Sequence, residues 1–326
     1  MTTTWKIFDG SLEPHDRVAN VSSAPPWRPS ASRDRGAGEA ADRSDRTDRA
    51  TTFQADPAVI DLVNAALHLR RPLLITGKPG TGKSSLIYAV AHELKLGLVL
   101  RWPVTSRSTL QQGLYQYDAI GRFHAKEMEG GTPDIGDYLS LGPLGTALLP
   151  SERPRALLID EIDKSDIDLP NDLLNIFEEG EYSIPELQRL KQPSTVDVTT
   201  ADGDKASITA GHVRCQEFPF MVLTSNGERE FPPPFLRRCL RLEMPEPTPE
   251  RIENIVRAHL GLEASKEAEP IIEDFLARRS TSTLATDQLL NAVFLVTAAN
   301  PEGSSRTELL DALLRALATG TTEAAV

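Results

Sequence analysis

Apolar positions along the chain fall into two regimes. Between residues 56 and 245, short apolar runs alternate with stretches of helical spacing. Pro72-Leu73-Leu74-Ile75-Thr76, Leu98-Val99-Leu100-Arg101-Trp102, Ala156-Leu157-Leu158-Ile159, Phe220-Met221-Val222-Leu223-Thr224 and Leu240-Arg241-Leu242-Glu243-Met244 each have the length of a strand. The run at 156–159 is continuously apolar, as in a strand covered on both faces. Val59, Ile60, Val63, Ala66 and Leu67 recur at helical spacing behind Asp56, a capping residue type, and Pro57, which suits a first helical position. Ser85 to Leu94 reads as a second helix. Strands alternating with helices predict an α/β fold, a parallel sheet flanked by helices.

After Pro245 only the helical period remains. A helix capped by Thr248, with Pro249 and Glu250 in its first turn, runs to about Leu260, and further helices are predicted at 270–278, 286–298 and 306–318. This divides the chain into an α/β domain at 56–245 and a small all-α domain at 246–326. Residues 1–55 are different again. Repeated Asp-Arg pairs, serines and few apolar residues cannot offset the entropy of ordering, so a flexible arm and linker is expected there. Trp5, Ile7, Phe8 and Trp27 give that arm a means of docking, or are stray aromatics in a tail. Residues 196–209 alternate around Ala201-Asp202-Gly203-Asp204, the signal of a hairpin.

Composition narrows the function classes. Hydrophobic residues make up 40% of 326, enough for a substantial core. The net charge of −12 opposes a nucleic-acid partner. Two cysteines without metal-ligand spacing suit a reducing cytoplasm, and no apolar run has membrane length. The six histidines are scattered and are assigned no chemistry.

Chemistry enters at residues 77–84. Gly77-Lys78-Pro79-Gly80-Thr81-Gly82-Lys83-Ser84 fits the phosphate-binding loop, G-x-x-x-x-G-K-[ST], and stands between a predicted strand and a predicted helix that opens at Ser85. The glycines let the backbone curl with its N–H groups inward, and the helix N-terminus adds positive potential. Lys83 is placed to reach β- and γ-phosphates, and Ser84 to hold Mg²⁺. The strand at 156–159 ends in Asp160-Glu161, where Asp160 would hold Mg²⁺ and Glu161 would act as general base toward water. The strand at 220–224 runs into Ser225-Asn226-Gly227, and Asn226 is the candidate for bonding that water or the γ-phosphate. Arg237-Arg238 follow; either could be a finger delivered to a neighbour's γ-phosphate, with Arg238 preferred.

These four elements, in this order, resemble the AAA+ ATPases: Walker A at 77–84, Walker B at 156–161, sensor 1 at Asn226 and an arginine finger at 237–238. Arg71 to Thr76, Leu158-Ile159-Asp160-Glu161-Ile162-Asp163-Lys164, Asn171 to Asn175 and Glu178-Glu179-Gly180 are similar to the MoxR branch. Tyr115 to Phe123 resembles a segment of MoxR-like ATPases from bacterial gene clusters. The resemblance spans roughly 56–298. It implies a P-loop NTPase core with a small α-helical lid, ATP and Mg²⁺ as ligands, and ATP hydrolysis. It also implies a homo-oligomeric ring that remodels a partner protein, and a second insertion, a helix with flanking strands, at 105–140. The stretch matching the sensor 2 arginine, Thr281 to Asp287, carries none, leaving Arg278 or Arg279 as substitutes. Two other functions compete: a nucleotide-gated assembly switch with little turnover, and an NTPase coupled to nucleic acid.

Overall fold

The computed structural model describes residues 53, 56–129, 133–190, 195–279, 284–299 and 304–314. The expected N-terminal arm therefore lies outside the described residues apart from Phe53, as does the expected helix beyond 314. The chain divides into two compact units. One comprises Ala55–Lys78 and Gly82–Pro245; the described part of the other is Phe53, Pro79–Thr81 and the segment from Glu246 with its helices.

In the first unit, in chain order, lie α1 (Pro57–Leu69), β1 (Leu73–Thr76), α2 (Ser85–Glu93), β2 (Leu100–Pro103), α3 (Leu110–Leu114), β3 (Tyr115–Tyr117), α4 (Ala119–Glu129), β4 (Leu139–Leu141) and α5 (Pro143–Ala147). Then come β5 (Ala156–Asp160), α6 (Leu169–Glu179), β6 (Glu181–Ser183), α7 (Pro185–Gln188), β7 (Thr195–Thr199), β8 (Lys205–Thr209), β9 (His212–Arg214), β10 (Phe220–Ser225), α8 (Pro233–Arg238) and β11 (Leu240–Glu243). The second unit holds α9 (Pro249–Glu267), α10 (Glu269–Arg279), α11 (Thr286–Ala299) and α12 (Ser304–Leu313).

Five strands form one parallel sheet in the order β11-β1-β10-β5-β2. All five apolar runs of the sequence are in it. The inner strands β5 and β10 are buried along their whole length, which explains their unbroken apolar character. At the edge, β2 alternates buried and exposed residues and starts two residues later than the run suggested. It also takes in Pro103, which an edge strand tolerates because one side makes no ladder bonds. Asp56 stands at the start of α1 in extended backbone but makes no capping side-chain bond; Pro57 fills the first helical position.

A second sheet, β3-β4-β7-β8, contains the predicted hairpin: β7 and β8 pair antiparallel from Thr195↔Thr209 to Thr199↔Lys205. Helix α4 lies in sequence between β3 and β4, which pair with each other. The hairpin turn is fastened to α5 and to the residue just before β5. Ala201 N–H donates to Thr146 Oγ1 at 2.9 Å, and Arg155 pairs with Asp202. One hydrophobic core joins these layers, including Trp102, Leu144, Leu157, Tyr182 and Phe235.

The helical unit has its own core of Ile252, Val256, Phe275, Leu289 and Val293. Thr248 caps α9, its Oγ1 accepting from Arg251 N–H at 3.3 Å. Gly261 breaks that helix with φ 85°, next to the predicted end at Leu260.

Candidate functional site: the phosphate loop and the strand ends beside it

Strand β1 ends at Thr76 and the glycine loop begins one residue later. Gly77, Gly80 and Gly82 take φ of 148°, 75° and 85°, a region that side chains with a Cβ rarely adopt. Lys83 is buried, and its Nζ donates to the carbonyls of Gly77 at 2.7 Å and Lys78 at 2.8 Å. Burial pushes the Lys83 ammonium below its ordinary pKa, against the pull of Asp163, Asp160 and Glu161. Ser85 N–H donates to Gly82 carbonyl at 3.0 Å as α2 begins. Ser84 does not cap that helix; its Oγ donates instead to Asp160 Oδ1 at 2.9 Å.

Asp160 is the last residue of β5 and is 7% exposed. Its Oδ1 also accepts from Thr224 Oγ1 at 2.7 Å, and its Oδ2 accepts from Arg101 Nη2 at 2.6 Å and Nε at 3.2 Å. Burial alone would raise its pKa. The hydrogen bonds from Thr224, Arg101 and Ser84, with the charge of Arg101, outweigh burial and hold the carboxyl below its ordinary value.

Glu161 turns the chain off the strand in left-handed backbone, φ 61° and ψ 50°, a strained conformation for a residue with a Cβ. Thr224 braces it: Glu161 N–H donates to Thr224 Oγ1 at 2.9 Å. The Glu161 carboxylate accepts from Lys164 Nζ at 2.8 Å. Asn226 follows β10 directly and is partly buried, with its backbone N–H donating to Asp163 Oδ2 at 2.8 Å. The same oxygen accepts from Glu228 N–H at 3.2 Å, whereas the buried Asp163 Oδ1 has no partner among the described residues. The loop after β10 is thus tied to the turn after β5.

Lys83, Ser84, Asp160, Glu161 and Asn226 accordingly gather at the C-terminal ends of β1, β5 and β10, where open parallel sheets bind ligands. Arg238 does not join them. It ends α8, ahead of β11, and pairs with Glu178 of α6 through Nε at 2.7 Å and through Nη2. Its neighbour Arg237 is exposed, and its guanidinium makes no hydrogen bond or ion pair among the described residues. Both border a cavity of about 530 Å³ whose wall also includes Arg70, Arg71 and Phe218. In the helical unit Arg278 is committed to Asp274 and Asp311; residues 281–283 lie outside the described residues.

Sequence reasoning missed Arg101, Thr224, Asp163 and Lys164. Thr224, Asp163 and Lys164 lie inside or beside the strand-end motifs, but nothing in their spacing marks a role. Arg101 carried no signal at all, because its contact depends on β2 lying beside β5.

Ser84 Oγ and the Asp160 carboxylate lie close enough together to serve one cation. Two hard oxygen donors suit Mg²⁺ completed by phosphate oxygens and water, and among the described residues no cluster of His, Cys, Asp or Glu offers a protein-only metal cage. The donor set fits the metal that the loop implies.

A parallel sheet with a glycine loop after β1 and an acidic pair after β5 defines a P-loop nucleotide-binding protein. The model of the AAA domain (dynein-related subfamily) matches residues 72–239, just over half the chain, and the chain belongs to that family. No curated protein sequence matches it. Among solved structures it is similar to NtrX from Brucella abortus, crystallised in complex with ADP, with 14% identity and a TM-score of 0.43. That match covers 81% of this chain and 59% of the NtrX chain. No helix among the described residues is long and apolar enough to cross a membrane.

Proposed function

We propose that this chain is a MoxR-type AAA+ ATPase that binds ATP with Mg²⁺, hydrolyses it, and works as a ring of identical subunits on a partner protein. The observation that carries the reading is the convergence of Lys83, Ser84, Asp160 and Glu161 on one end of one sheet. Lys83 leaves the loop carbonyls to meet the β- and γ-phosphates. Ser84 and Asp160 hold Mg²⁺, which when bound neutralises phosphate charge. Glu161 leaves Lys164 and accepts a proton from the attacking water as the water adds to the γ-phosphorus and the bond from that phosphorus to the β–γ bridging oxygen breaks, with ADP as the leaving group. Asn226, whose backbone N–H donates to Asp163, orients that water.

A protein partner is supported by α4, which leaves Ile120 71%, Phe123 58% and Met128 87% exposed. The negative net charge supports the same choice over nucleic acid. The pairing of Glu161 with Lys164 favours a second reading, an assembly switch whose turnover stays slow until a partner separates the two.

Two variants test the site. Lys83→Ala abolishes binding of a fluorescent ATP analogue, because the charge facing the phosphates is gone. Glu161→Gln keeps binding and loses hydrolysis by about 10²–10⁴-fold, the usual contribution of a general base. Hydrolysis by Glu161→Gln at the parent rate, itself well above that of a protein-free control, removes Glu161 from the mechanism. A parent that binds ATP but hydrolyses it no faster than the protein-free control selects the switch.

A further inference from the structure

The charges of three carboxylates act on the phosphate-loop lysine: Asp163, Asp160 and Glu161. Glu161 is matched by Lys164, and Asp160 by Arg101, which stands on the edge strand. The β2–β5 register sets Arg101 opposite Leu158 and Pro103 opposite Asp160, so the arginine side chain runs forward along the strand to reach the carboxylate. There it places two N–H donors on Oδ2, while Ser84 and Thr224 occupy Oδ1. All four hydrogen-bonding positions of the carboxylate are thereby used. A divalent cation cannot take Oδ2 while the guanidinium remains on it. The two partners differ in freedom: the Arg101 side chain is 52% exposed and that of Asp160 10%. The arginine can withdraw into water, and the carboxylate cannot follow.

We propose that Arg101 is a positioning residue that holds Asp160 as a resident cation, so that Mg²⁺ loading is an exchange of guanidinium for metal. This rests on the reading of Ser84 and Asp160 as the metal-holding pair. The arrangement keeps a buried carboxylate neutralised at all times, avoiding the cost of an unpaired interior charge. It also makes Arg101 a competitor of the metal.

The test measures Mn²⁺ affinity by electron paramagnetic resonance at saturating ADP, for the parent, Arg101→Met and Arg101→Lys. Arg101→Met binds Mn²⁺ about fivefold tighter than the parent, the scale of a half-exposed ion pair removed from competition. Its thermal midpoint in EDTA is lower than that of the parent, because Asp160 Oδ2 has lost its partner. An arginine that merely braced the strand would lower the midpoint and weaken the metal together, so the opposite signs of the two readouts are diagnostic. Arg101→Lys keeps a charge without the fork, and also binds Mn²⁺ more tightly than the parent; it decides the matter if the methionine variant does not fold. Equal or weaker Mn²⁺ binding by a folded variant overturns the exchange while leaving the metal site itself intact. A parent that binds ADP but no Mn²⁺ overturns the metal reading and the exchange with it.

Discussion

At the scale of single residues, Thr224 carries more of the site than its neutral side chain suggests. Its hydroxyl donates to Asp160 and accepts from the strained Glu161 backbone, so one oxygen ties the metal-side carboxylate to the candidate base. Thr224→Val keeps the shape and leaves the Glu161 N–H orphaned, at a cost of about 1–3 kcal/mol in urea unfolding. Thr224→Ser should recover most of it. Asp160 gives a pH signature. Its folded pKa lies below the ordinary value, so its contribution is complete above the unfolded value of about 4 and is lost as pH falls from there through the depressed folded value. The stability gap between the parent and Asp160→Asn should therefore be wide near neutrality and close in acid. A gap of constant size across that range would show that the ion pair contributes nothing to folding. The cysteines give a third measurement. Burial pushes the Cys239 thiol up to about 12 against the charge of Arg71, and Cys215 is only partly buried. A thiol reagent at mildly alkaline pH should label Cys215 first and reach Cys239 only when urea unfolds the chain.

At the scale of elements, the short helices α3 and α5 approach closely enough that glycine is required. A Cβ on Gly145 would overlap the carbonyl oxygen of Leu114, and one on Gly142 would overlap those of Gln112 and Gly113. This contact sets β4 beside β3 and presents Thr146 to the β7–β8 turn, so the second sheet is seated on it. Gly145→Ala forces backbone apart and should destabilise by about 1–3 kcal/mol. Gly203, in the hairpin turn, is the contrast. Its φ is +87° and nothing lies near a Cβ there, so Gly203→Ala carries only conformational strain of about 1 kcal/mol. Equal denaturation midpoints for the two variants would mean that α3 and α5 separate freely.

At the scale of the whole molecule, the placement of Arg238 bears on assembly. Arg71, just before β1, donates to the carbonyl of Arg237 at 3.2 Å, and Leu240 N–H donates to the Pro72 carbonyl at 2.9 Å. The arginine pair thus stands at the start of β1, while Lys83 follows its end, roughly 13 Å away for a strand of four residues. A finger at that end serves a neighbour's nucleotide better than its own. Arg238→Ala should bind ATP and lose about 10³–10⁵ in hydrolysis. Mixed with Lys83→Ala, which keeps its arginine, it should regain part of the activity in a concentration-dependent manner. Confirmed subunit exchange without any rescue would end the shared-site idea. Glu178 holds Arg238 and leaves Arg237 unengaged among the described residues, so Arg237→Ala is the comparison that tells which guanidinium crosses.

The sequence by itself determined the five core strands, the glycine loop, the acidic pair, the hairpin and the break near Gly261. Each of these is written in local periodicity or in a short motif: burial on both faces makes an unbroken apolar run, and a turn with positive φ favours glycine. Tertiary structure alone decided which strands lie side by side. The order β11-β1-β10-β5-β2 sets Thr224 between the loop and the acidic pair, brings Arg101 onto Asp160, and leaves Arg238 at the opposite end of the sheet. Periodicity records how deeply a residue is buried but not which strand is its neighbour. Contacts that depend on strand order therefore leave no trace in the chain that makes them.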